Sequence, residues 1–205
     1  MNTLFYRLRS MLLGWGFVGL VYTSSHHLQG EGRVIAPSAI ELWIPFSPEG
    51  VWLYLSFFIL VPFGYLRCPL QQVKWLSTSM QLSAVAAGAV YLLWPTTMHY
   101  PVDQGASLSS SLLAALIAVD SAQNCLPSLH MTLTILAVWA CCEAKQILRT
   151  VILIIWGLAI AFSILQLRRH LLIDLLSGAL LAWVAGCLAR RVKGSRRTND
   201  KGRKS

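Results

Sequence analysis

Apolar runs without a formal charge recur along the chain, separated by short polar stretches. A hydrocarbon core about 30 Å thick needs roughly 20 mostly apolar residues per helix, fewer where flanking residues snorkel. Divided on that basis, the sequence predicts six helices. They are Met11 to Ser25, Val51 to Leu66, Trp75 to Pro95, Pro127 to Cys142, Thr150 to Leu167, and Leu171 to Ala189, the last holding one acid, Asp174. The expected fold is all-α, a polytopic bundle of six transmembrane helices over residues 1–189. A basic tail at 190–205 follows, in which disorder is expected. No internal repeat, heptad array or soluble domain emerges.

Two longer connections interrupt the pattern. One links the first two spans and carries Ile44-Pro45-Phe46-Ser47-Pro48; the other runs from Thr96 to Leu126. Within the second, Ser107 to Val119 is apolar enough for a short helix that rests on the outer surface or folds back over the bundle. Composition agrees, since 56% apolar against 12% charged residues excludes an ordinary water-soluble globule. A net charge of +9 would suggest nucleic acid only if the cations formed a patch, whereas they sit at the two ends and in short loops.

Those cations set the expected orientation. With both termini in the cytoplasm, every one of the 17 Lys and Arg residues is inside except Arg33, Arg168 and Arg169, as the positive-inside rule demands. Glu31, Glu41, Glu49, Asp103 and Asp120 fall outside. Arg7 and Arg9 before a short apolar run also allow a cleaved signal peptide, which would leave the other five helices as they are. Cys68, Cys141, Cys142 and Cys187 lie near inner helix ends and Cys125 stands alone outside. Neither an intrachain disulfide on the oxidising side nor a Cys-based metal site is expected. The tail suits either attraction to anionic inner-leaflet lipids or a topogenic role.

Ionisable groups within membrane helices are costly and therefore point to function. His130 lies three residues after Pro127, at the outer start of the fourth helix. Asp174 lies four residues after His170 at the outer start of the sixth, a spacing that lets the carboxylate fix the imidazole tautomer. The same depth holds Arg168 and Arg169, two helix N-termini suited to an anion, and Ser128 after a Pro127 that fits a first helical turn. Two imidazoles, a carboxylate and two guanidinium groups suit a phosphate ester. Taken singly, each residue has a plainer reading as an interfacial or packing group, or as an anchor to headgroup phosphates. His26, His27 and His99 lack such company and read as interfacial.

Asn124-Cys125-Leu126-Pro127-Ser128-Leu129-His130, then Ser163, then Arg169-His170-Leu171-Leu172-Ile173-Asp174, resembles the second and third signatures of the type 2 phosphatidic acid phosphatase superfamily. The P-S-L-H form is similar to the branch of inositol phosphorylceramide synthases and its bacterial relatives. Ile44-Pro45-Phe46 through Tyr54-Leu55-Ser56 and Trp94-Pro95-Thr96-Thr97 resemble that branch more loosely. The resemblance implies a metal-independent enzyme without cofactors, acting on a membrane lipid phosphate or phosphodiester at the outer leaflet. His170 would be the nucleophile, Asp174 its orienting partner and His130 the acid and then the base. Ser128, Arg168 and Arg169 would contact the substrate phosphate.

The sequence departs from the family in places. The first signature, a Lys followed after six residues by Arg-Pro, is missing, and Tyr100-Pro101 stands where Arg-Pro is expected. Ile164 replaces the Arg that often follows the third signature's Ser, and Leu171 replaces an aromatic. Arg168 and Arg169 are the residues that would make up the lost phosphate contacts. Phosphatase and headgroup phosphotransferase share the first half-reaction, so both stand. A non-catalytic lipid-binding protein on the same fold is a further alternative, and a transporter fits less well because the polar residues gather at one surface rather than at midplane.

Overall fold

The computed structural model describes residues 2–202, with side chains placed as far as Val192. In chain order the helices are α1 (Thr3–Leu28), α2 (Ala39–Leu42), α3 (Pro48–Arg67), α4 (Leu70–Leu93), α5 (Leu108–Val119), α6 (Leu129–Cys141), α7 (Ile147–Gln166) and α8 (Leu172–Gly202). Five of them, α1, α3, α4, α7 and α8, are long and apolar enough to cross a membrane. They carry exposed apolar side chains such as Leu20, Ile59, Val85, Ile155 and Leu180. In water such faces would be a liability, whereas in lipid they are the expected surface of a multi-pass membrane protein.

The fourth expected span, Pro127 to Cys142, is the exception. Its helix, α6, has 13 residues, about 20 Å at 1.5 Å per residue, which is short of a hydrocarbon core of about 30 Å. Pro127 lies outside the helix rather than in its first turn, Ser128 is the N-cap, and Cys142 leaves in an extended conformation. The short helix packs against α3, α4, α7 and α8, burying Leu133, Leu136, Ala137 and Ala140. It therefore meets protein over much of its length, and its neighbours carry the contact with lipid.

Other boundaries moved because the helices run on through charged residues. α1 and α4 include Arg7 and Lys74, where the charge-free runs stop. Arg7 Nη1 donates to the carbonyls of Tyr65 and Cys68 at 2.6 and 2.9 Å, satisfying the C-terminal end of α3. Small residues on α4, among them Ser79, Ser83, Ala84 and Ala87, are fully buried and let neighbouring helices approach. Ser79 and Ser83 donate to the carbonyls of Trp75 and Ser79 at 2.8 and 2.9 Å, so neither hydroxyl is left open in the core. The α8 helix continues past Ala189, with Arg190 stacked over Trp139 at 4.6 Å. The tail expected at 190–205 continues α8 as far as Gly202, and 203–205 lie outside the described residues.

Both long connections converge on one end of the bundle. Strand β1 (Arg33–Val34) pairs in parallel with β2 (Thr96–Thr97), Arg33 opposite Thr96. Thr96 also bridges to Asn124, and its hydroxyl accepts from Leu126 N at 2.9 Å. The short helix expected from Ser107 to Val119 forms as α5, capped by the Ser107 hydroxyl. It is tied to α3 by Ser109, which donates to Glu49 at 2.6 Å and accepts from Trp52 Nε1 at 3.1 Å. Helices α6 and α8 both begin beneath these loops.

Candidate active site at the loop end of the bundle

The starts of α6 and α8 are locked together through backbone. Ser128 N donates to Asp174 O at 3.0 Å, and the Thr132 hydroxyl lies 2.9 Å from both Ser128 O and Gly178 O. A Cβ at Gly178 would collide with Ser128 O, so the close approach of the two helices requires glycine there. Ser128 Oγ accepts from Met131 N at 3.3 Å as the α6 cap. The serine expected to bind phosphate thus spends its amide and its hydroxyl's acceptor capacity on holding the helices.

Between α7 and α8 the chain makes a Schellman turn. Arg168 N bonds to Leu165 O and Arg169 N to Ile164 O, each at 3.1 Å, with Arg168 at φ 51° in the position that favours glycine. The turn sends the two arginines apart. Arg168 donates to Ile44 O at 2.7 Å and pins the first long loop. Arg169 is 4% exposed, and its Nε and Nη2 both donate to one oxygen of Asp120, Oδ2, at 3.2 and 2.8 Å, with the guanidinium over the ring of Tyr100. Neither guanidinium of the expected phosphate pair is free in this structure.

His170 sits in that turn rather than on the α8 helix, so the four-residue spacing to Asp174 does not act as a helical face. The contact arises differently. Asp174 folds back as the third residue of α8, and its Oδ2 accepts from Leu171 N at 2.8 Å, one half of a capping box. That places Oδ2 3.5 Å from His170 Nδ1, which also lies 3.0 Å from Cys125 O. A carbonyl can only accept, so Nδ1 carries a proton, and in the neutral ring Nε2 is the nitrogen with the lone pair. Asp174 Oδ1 is buried without a hydrogen-bond partner. The next amide, Leu172 N, is capped at 2.7 Å by Glu41 Oε1, and Ser38 N holds the other oxygen of Glu41 at 2.7 Å.

His130 closes the arrangement from α6. Its ring lies 6.1 Å from that of His170, between centroids, and packs on Tyr54 at 4.7 Å and Phe57 at 4.6 Å. Its Nδ1 lies 3.4 Å from the Tyr54 hydroxyl. A cavity of about 190 Å³ lined by Trp15, Val18, Phe57, Phe58 and Leu133 ends on His130, Tyr22 and Asp120. A second, of about 400 Å³, is lined by Tyr100, Asp103, Ser110, Asp120 and Arg169. Asp120 is the side chain common to both walls. Burial would raise its carboxyl, but Arg169, His130 and the Tyr22 hydroxyl together hold it below the usual carboxylate range.

The structure therefore brings together His130, His170 and Asp174, the expected catalytic residues, and places Ser128, Arg168 and Arg169 beside them already engaged. Glu41, Asp120 and Cys125 join the site without having been singled out. Ser38-x-x-Glu41 is a capping-box spacing that the sequence displays; Asp120 and Cys125 are brought in only by tertiary contacts. Cys125 Sγ, a nitrogen of His170 and an oxygen of Asp174 lie within 4.8 Å of one another, close enough to hold a metal ion. Burial pushes the Cys125 thiol up to about 12, so that a bound cation would have to draw off its proton. Comparisons with models of known families, with curated proteins and with solved structures returned no match.

Proposed function

We propose that this chain is an integral membrane enzyme of the phosphatidic acid phosphatase type, acting on a lipid phosphate or phosphodiester through a phosphohistidine. The observation that carries the reading is the His170 imidazole, with Nδ1 committed to Cys125 O beside Asp174 and Nε2 left for attack. Nε2 attacks phosphorus as the bond to the leaving oxygen breaks, and His130 delivers the proton to that oxygen. Neutral His130 then takes a proton from water or an alcohol, whose oxygen attacks the phosphohistidine and restores His170. Asp174 balances the positive charge that His170 gains. The tyrosine and phenylalanine rings around His130 keep that exchange away from bulk water.

In this reading the bundle has six segments, with α6 as a buried central helix, both termini cytoplasmic and the loop end extracytoplasmic. The distribution of cations supports that orientation. The test is to incubate the purified protein with a panel of phospholipids, with and without alcohol acceptors, and identify products by mass spectrometry. Release of inorganic phosphate supports a phosphatase, and transfer of a phosphorylated headgroup to the alcohol supports a phosphotransferase. The Cys125, His170 and Asp174 grouping favours one second reading, metal-assisted hydrolysis. Activity that survives EDTA supports the phosphohistidine route; complete loss, restored by one divalent ion, supports the metal.

A further inference from the structure

Asp120 is a largely buried ionic group near the histidines, its side chain 11% exposed, to which the proposed reaction gives no role. Its two oxygens are used differently. Oδ2 faces Arg169, at 2.8 and 3.2 Å, whereas Oδ1 accepts from the Tyr22 hydroxyl at 2.5 Å and from Ser121 N at 3.0 Å. Arg169 has support of its own, with its guanidinium 4.8 Å above the Tyr100 ring. The ion pair can therefore open with both partners still held, Asp120 by Tyr22 and Ser121 and Arg169 by Tyr100. Asp120 lines both cavities, the one that includes His130 and the one that includes Arg169.

A carboxylate oxygen that accepts from both Nε and Nη2 of a guanidinium occupies the two donors that a phosphate oxygen or pair of oxygens would use. We infer that Asp120 is an internal occupant of the phosphate position on Arg169, displaced when the phosphate group of a substrate binds there, and that it thereby determines how strongly the site takes phosphate. The identity of the ligand rests on the lipid-phosphate reading; the displacement rests on the geometry alone. While Asp120 is ionised and paired, it cancels the Arg169 charge and repels an incoming phosphate. Loss of the carboxylate charge removes both effects.

The experiment is equilibrium binding by calorimetry on the full chain in detergent, with inorganic phosphate as one ligand and short-chain phosphatidic acid as the other. Because it reads binding and not turnover, a failure of the catalytic reading leaves its outcome intact. Asp120→Asn should bind inorganic phosphate at least tenfold more tightly than the native protein, and Asp120→Asn with Arg169→Gln should lose that gain. Tightening for the lipid as well assigns the position to a headgroup; tightening for inorganic phosphate alone assigns it to the free ion. Unchanged or weaker binding by Asp120→Asn overturns the inference. Should that variant not fold, Tyr22→Phe decides, because it removes the support to which the displaced carboxylate retreats. Severalfold weaker phosphate binding is then expected, and unchanged or tighter binding overturns the inference.

Discussion

Asp174 has two duties in this structure, and substitution can separate them. Its Oδ2 caps Leu171 N at 2.8 Å and lies 3.5 Å from His170 Nδ1. Asp174→Asn keeps an oxygen for the cap but removes the charge beside the imidazole. A hydrogen bond to a charged group contributes roughly 1.5–3 kcal/mol and a neutral one roughly 0.5–1.5, so Asp174→Asn should cost about 1 kcal/mol of stability. Asp174→Ala also leaves the Leu171 amide without its acceptor in a buried position, and should cost about 3 kcal/mol. Turnover should respond in a different proportion. Loss of an orienting carboxylate lowers turnover by up to roughly 10⁴-fold where it has been measured, and roughly 10²-fold to 10⁴-fold is expected for both variants. Denaturant unfolding in micelles, followed by tryptophan fluorescence, gives the first quantity; single-turnover rates on folded protein give the second. If Asp174→Asn turned over at the native rate while Asp174→Ala lost only its stability, Asp174 would be a helix cap and nothing more.

Three further outcomes are expected. His130→Ala should slow phosphoenzyme formation most for lipid alkyl phosphates, whose leaving oxygens need a proton, and least for an activated aryl phosphate; rates on the two substrates check this. Gly178→Ala should drive α8 away from Ser128 O, costing about 1–3 kcal/mol as overpacked sites do and lowering turnover by spreading His130 from His170; thermal unfolding and activity of the one variant test both. The Asp120 carboxyl titrates lower in the folded protein than in the unfolded chain, where the usual value is about 3.9. The stabilisation from its pair with Arg169 is therefore complete well above pH 4 and is lost as the pH falls through the lower folded value. The stability difference between native protein and Asp120→Asn should be constant near neutrality and shrink in acid, as unfolding midpoints across pH will show.

The helical, membrane-spanning character was legible because burial in lipid demands long apolar runs, and α1, α3, α4, α7 and α8 follow them. The runs do not tell α6 from the five longer helices, because a short helix surrounded by other helices is as apolar as one that spans a bilayer. The grouping of His130, His170 and Asp174 was legible from depth alone, since their helices start at the same end. How the neighbouring charged groups are engaged was not. Arg168 and Arg169 are adjacent in sequence, yet the left-handed residue of the Schellman turn sends one to Ile44 and the other to Asp120. Asp120 lies 49 positions before its partner Arg169, and Glu41 lies 131 positions before the Leu172 amide that it caps. Contacts of that span depend on how the loops fold over the bundle, which no local pattern encodes.

The central claim is that His170 carries the phosphoryl group, and direct trapping tests it most simply. The purified protein is mixed with a phosphorus-labelled lipid phosphate, quenched in base, which preserves phosphohistidine, and digested for mass spectrometry. The account predicts phosphate on the His170 ring in the native protein, formed within a single turnover and lost on addition of water or acceptor, with none in His170→Ala. Label on His130 or Cys125, or full turnover by His170→Ala, would contradict it.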